Sequence, residues 1–150
     1  MKEVDIADRA NNVMKELFKV DGTGKSDARN VVTTSQIRKF LTAIGTITEK
    51  VNVYRIQNPD SSEKLPEELQ AEIKFLKVKL AYQIGRTSER KWDRFSKQYV
   101  DIKPVEDFEK AADLIKEIDA IKDSTKAWQV FANYMEALVA FHKYYGGRDK

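Results

Sequence analysis

The chain has 150 residues, no cysteine, 27 Lys and Arg against 24 Asp and Glu, and a net charge of +3. That length suits one domain, and the missing thiols exclude disulfides, thiolate zinc sites and a cysteine nucleophile. With 34% charged residues, a mean hydropathy of −0.59 and no apolar run near the roughly 18 residues of a membrane span, the chain reads as soluble, without a secretory signal and cytoplasmic by default.

The charge is unevenly spread. From Ala71 to Val100 eight cations stand against three acids, a net of +5, and from Asp101 to Thr125 four stand against eight, a net of −4. Such asymmetry suits one basic face for an anionic partner and one acidic face for a basic one, although paired surface charges that merely solubilise a helical protein give the same totals.

In chain order, Ile6, Ala10, Val13 and Leu17 recur at helical spacing and predict an amphipathic helix near Val4 to Val20. Residues 20–32 read as a flexible loop by composition. Gly24-Lys25-Ser26 lacks the earlier glycine and the preceding strand of a phosphate-binding loop. Asp21-Gly22 lacks the later carboxylates of a calcium loop.

Thr33 with Gln36 three residues on has the pattern of a capping box. It opens a helix with Ile37, Leu41, Ile44, Thr48 and Val51 on one stripe. Arg38 and Lys39 stand in its first turns, where the helix dipole disfavours cations. A partner phosphate gives them a reason to be there, and so does indifferent surface exposure. After the polar loop 57–64 comes the helix Leu65 to Arg86. Leu69, Ile73, Leu76, Leu80 and Ile84 form one apolar stripe, and Phe75, Val78 and Tyr82 lie nearly opposite. Two apolar stripes predict a central helix covered on two faces. Lys74 and Lys77 fall on one flank, Lys79, Gln83 and Arg86 on the other.

In the segment 87–100, Trp92, Phe95 and Tyr99 are spaced for a short helix, with Arg90, Lys91, Arg94 and Lys97 between them. The expected role of these aromatics is to pack home. The sharper reading is a stacking surface for bases. Pro104 opens the next helix, lined inside by Phe108, Ala111, Ala112, Ile115 and Ile118. Ser124 caps the last, in which Trp128, Phe131, Met135, Leu138 and His142 form a packing seam ended by Gly146. His142, the one histidine, belongs to that seam and has no orienting acid or nucleophile in sequence. No metal-ligand spacing appears. The expectation is therefore an all-α, single-domain bundle of five or six helices over 1–150, with no catalytic residue, metal or cofactor.

Three stretches carry more: Thr33–Leu41 (TTSQIRKFL), Phe75–Arg86 (FLKVKLAYQIGR) and Tyr134–Asp149 (YMEALVAFHKYYGGRD). In content, order and spacing they resemble the small subunit of the type III-A CRISPR–Cas effector, the Csm complex. The likeness spans 33–149. Ile84, where the family often has a small residue, departs from it. The resemblance implies a non-catalytic, helical RNA-binding subunit in antiviral defence. Its copies stack on one another along guide RNA and target RNA, beside the repeated backbone subunit and the large signature subunit. Cleavage belongs to other chains. The positions that match are Gln36, Arg38 and Lys39 in the first stretch, Lys77, Lys79 and Arg86 in the second, and Lys143 and Tyr144 in the third. A helical adaptor binding protein through its acidic helix is the alternative, and a nuclease with gathered acids is a further one.

Overall fold

The computed structural model describes residues 1–150. A single 3-10 turn, Glu3–Asp5, leads into six α-helices and one hairpin: α1 Ile6–Leu17, α2 Thr34–Gln57, α3 Glu67–Thr87, β1 Glu89–Asp93, β2 Gln98–Ile102, α4 Pro104–Ala112, α5 Leu114–Ile121 and α6 Thr125–Tyr144.

The expected caps form. The Thr33 hydroxyl accepts the Gln36 amide at 3.3 Å, and the Gln36 side-chain oxygen accepts the Thr33 amide at 2.9 Å. These two bonds satisfy amides that would otherwise be orphaned at the start of α2. The Ser124 hydroxyl does the same for Ala127 at 3.0 Å. Gly146, at φ +92°, ends α6 in the left-handed conformation that glycine adopts freely. The tail then crosses the front of α2, where Thr34 and Ser35 donate their amides to the carbonyls of Arg148 and Asp149 at 3.1 and 2.9 Å. His142 fastens this corner, its Nε2 lying 2.7 Å from the Val32 carbonyl.

One apolar core joins residues from all six helices. Leu69, Ile73, Leu76 and Leu80 of α3 meet Trp128, Phe131, Met135 and Leu138 of α6 within it. Val31 and Val32, at the end of the loop 20–32, are buried in it as well.

Three expectations change. The chain is mostly helical rather than all-α, because 87–102 turns back as a two-stranded antiparallel hairpin. At the end of α3 the hydroxyls of Thr87 and Ser88 bond back to the carbonyls of Gln83 and Ile84 at 2.6 and 2.7 Å, and Ser88 is already extended at ψ 134°. The residues that follow, Trp92, Tyr99, Val100 and Ile102, favour strands. The 3-4 spacing of Trp92, Phe95 and Tyr99 imitates a helix by symmetry about a turn: Trp92 and Tyr99 are cross-strand partners and Phe95 sits at the tip.

Next, the acidic helix is two helices, broken at Asp113, which takes φ 54°, ψ 42°. At 100° per residue, Val105, Phe108 and Ala112 span about 60° of one face, whereas Leu114, Ile118 and Ile121 centre about 150° away. One straight helix would leave one of these sets in water. The left-handed residue turns both inward, and all six are buried. Aspartate tolerates that conformation better than most residues.

Finally, α3 is covered on one face only. Phe75, Val78 and Tyr82 remain more than half exposed. The second apolar stripe is real in sequence but unpartnered within the chain.

Candidate nucleic-acid interface

α2 and α3 lie antiparallel, the Arg38 end of α2 beside the Lys79 end of α3 and the Lys50 end beside Glu72. Between them runs an open groove of about 800 Å³. Ala43, Ile47, Ala71 and Phe75 make its apolar floor, Thr42 and Thr46 one wall, and Arg38, Lys39 and Lys79 its cationic rim. The small side chains Thr42, Ala43 and Thr46 on one stretch of α2 leave this space open. The Thr46 hydroxyl donates to the Thr42 carbonyl at 3.1 Å rather than pointing away.

The electrostatics of the rim are one-sided. Glu72, the acid in the groove, is held by Lys50 at 2.8 Å. Arg38, Lys39 and Lys79 take part in none of the chain's ion pairs. The Lys79 ammonium lies 5.9 Å from the centroid of the Phe75 ring, within reach of a cation–π contact. Three uncompensated cations around an apolar floor form a site for an anion that also carries flat or apolar surface. The amides of Thr34 and Ser35 are already taken by the C-terminal tail, so an anion here meets side chains and not the front of the helix.

The structure thus brings Arg38, Lys39 and Lys79 together. Arg86 is exposed and lies within about 20° of Lys79 around α3, roughly 10 Å further along its axis, so it extends the same row. Lys77 does not join it. It lies about 160° from Lys79 around the helix and is paired with Asp119 of α5. Gln36 is partly spent in the capping box. Lys143 is 3.6 Å from Asp149 in the tail. Tyr144, 77% exposed, lines a separate hollow with Tyr145, Phe141 and the loop from Val20 to Ser26. Sequence reasoning missed the floor and wall residues Thr42, Ala43, Thr46 and Ala71. Their signal was the run of small residues on α2 opposite an aromatic stripe on α3 that nothing in the chain covers.

A model of one protein family, described as Csm2 Type III-A, matches residues 11–148. The chain belongs to the Csm2 family. This confirms the resemblance and makes it a small subunit of a type III-A CRISPR effector, one component of a Csm complex. It is 31% identical over 146 residues to the CRISPR system Cms protein Csm2 of Streptococcus thermophilus, covering 97% of this chain and 93% of that one. It is 32% identical over 139 residues to the protein of the same name from Enterococcus italicus, covering 91% and 86%. For that of Mycobacterium tuberculosis the figure is 26% over 140 residues, covering 93% and 96%. The family match includes the groove, Arg86 and the hairpin, so the likeness bears on the part of the molecule where the unpaired cations lie.

Proposed function

We propose that this Csm2-family chain is a non-catalytic, RNA-binding subunit that holds the guide RNA–target RNA duplex through phosphates, without reading sequence. The observation that carries this is the groove rim, where Arg38, Lys39 and Lys79 converge without an acidic partner and Arg86 continues the row. A subunit that serves any guide grips the backbone rather than base edges, and arginine and lysine supply the charge. No helix is long and apolar enough to cross a membrane, in keeping with action in the cytoplasm. His142 is used in fastening the end of α6 to Val32, and Glu117, Asp119 and Glu106 are engaged with Arg9, Lys77 and Lys110. This chain therefore contributes binding, and the chemistry belongs to other subunits.

Val78 and Tyr82, exposed on the same stripe outside the groove, support a second half of the proposal, contact with neighbouring protein. Exposed apolar surface of this kind marks interaction sites, and in an assembly of repeated subunits further copies of this chain and the backbone subunit are the neighbours. The experiment is recovery of the affinity-tagged chain from its own cells. The wild type is expected to bring down a processed guide RNA with the other effector subunits. The Arg38→Ala, Lys39→Ala, Lys79→Ala triple variant should recover less RNA per subunit. Recovery of the protein partners with equal RNA from both would favour an adaptor without RNA contact.

A further inference from the structure

The hairpin between α3 and α4 belongs neither to the core nor to the groove. Its strands pair with each other, and no helix packs along them. A lone two-stranded hairpin is marginal in water, and this one exposes its aromatics: Trp92 is 55% exposed, Tyr99 61% and Phe95, at the tip, 93%. The register sets Trp92 opposite Tyr99 and Arg90 opposite Asp101. Side chains two apart on a strand share a face, so Arg90, Trp92 and Tyr99 form one surface. The two rings meet edge to face at 5.2 Å, and the Arg90 guanidinium lies 5.5 Å from the Tyr99 ring.

The charges around this surface are not balanced. Glu89 is 3.1 Å from Lys91, and Asp101 is 4.0 Å from Arg90. Asp93 is spent on the turn, accepting from the Phe95 amide at 3.1 Å and the Ser96 hydroxyl at 2.7 Å. That leaves Arg94 and Lys97 at the tip with no acidic partner. Flat aromatic faces beside free cations match an unpaired nucleic-acid strand, whose bases stack and whose phosphates need countercharge. A duplex does not offer its base faces in this way. An acidic protein would satisfy the cations but gives no reason for the bare rings.

We infer that the Arg90–Trp92–Tyr99 face is a second RNA contact, a platform on which unpaired bases stack while Arg94 and Lys97 meet the adjoining phosphates. This rests on the RNA-binding reading above but involves different residues, so the two are separable.

Trp92 makes the test direct. The other tryptophan, Trp128, is fully buried, so a ligand-induced change in tryptophan emission reports Trp92. The full chain is titrated with a short oligouridylate, with an abasic ribose-phosphate oligomer of equal length, and with a blunt RNA duplex. The oligouridylate is expected to quench the emission, and the abasic oligomer is not. Trp92→Leu and Tyr99→Leu should each weaken oligouridylate binding about five- to hundredfold and leave duplex affinity unchanged. Both positions lie outside the core, so the melting temperature should hold. Arg94→Ala with Lys97→Ala should lower the salt dependence of single-strand binding. Equal oligouridylate affinity in wild type and both leucine variants, with no quenching, overturns the platform even if duplex binding and its loss in Arg38→Ala are intact. Quenching only on adding another effector protein also overturns it and makes the hairpin a protein contact. Failure of every RNA to bind the wild type would remove the underlying reading as well.

Discussion

Tyr134 shows how single side chains hold the helices in place. Its hydroxyl donates to the Ala112 carbonyl at 2.9 Å, a carbonyl at the end of α4. Arg9 reaches the same corner from α1. It bonds Glu117 at 2.8 Å and the Ala112 carbonyl at 3.4 Å, and its guanidinium lies 4.8 Å from the Tyr134 ring centroid. Burial raises the Tyr134 hydroxyl from its ordinary 10.0 to about 12, Arg9 opposing and Glu117 and Asp113 adding to the rise. The folded chain therefore keeps this proton to higher pH than the unfolded chain does. The stability tied to it is full below about pH 10 and is lost as the pH climbs from 10 toward 12. Tyr134→Phe removes that dependence at a cost of about 1 kcal/mol at neutral pH. Melting curves at pH 7, 10 and 11 should show a shallower alkaline decline in the variant, and equal slopes would mean that Tyr134 titrates normally. None of this corner was legible in sequence. Arg9 and Tyr134 are far apart in the chain, and their meeting depends on the packing of α1 against α6.

At the scale of elements, what the sequence specified depended on the kind of signal. The capping box at Thr33, the seam of α6 and the main stripe of α3 are local patterns, and each forms as its spacing predicts. Leu76 is fully buried in the core, so Leu76→Ala is expected to cost about 2–5 kcal/mol. A denaturation midpoint shift equivalent to less than about 0.5 kcal/mol, the scale of a surface change, would place α3 outside the core. The elements that differed from expectation are those decided by tertiary context. A continuous helix across Asp113 satisfies local propensity, but it would put Val105 and Leu114 on opposite sides. The hairpin aromatics match a helical period and a strand pair equally, and the structure resolves them by the turn between Asp93 and Lys97, where Asp93 holds the Phe95 amide and Ser96 hydroxyl and Lys97 takes φ 54°. The uncovered stripe of Phe75, Val78 and Tyr82 was visible as a pattern. That its cover must come from outside the chain was not.

Across the whole molecule, the charge asymmetry of the sequence becomes a division of surfaces. Three acids of α4 and α5 are paired within the chain, Glu117 by Arg9, Asp119 by Lys77 and Glu106 by Lys110 at 2.6 Å. The cations of α2 and α3 are largely not. Of the positions singled out from sequence, Arg38, Lys39, Lys79 and Arg86 share one exposed side, while Lys77 is turned to the acids. The salt dependence of RNA binding is the most direct measure of whether that side grips phosphates. Wild type, Arg38→Ala, Lys79→Ala and Lys77→Ala are to be titrated at several salt concentrations with two RNAs of unrelated sequence. The account predicts that Arg38→Ala and Lys79→Ala each weaken both RNAs by a similar factor and lower the slope of log affinity against log salt by roughly 0.7–0.9, with Lys77→Ala close to wild type. Unchanged slopes in Arg38→Ala and Lys79→Ala, or a loss confined to one RNA sequence, would contradict it.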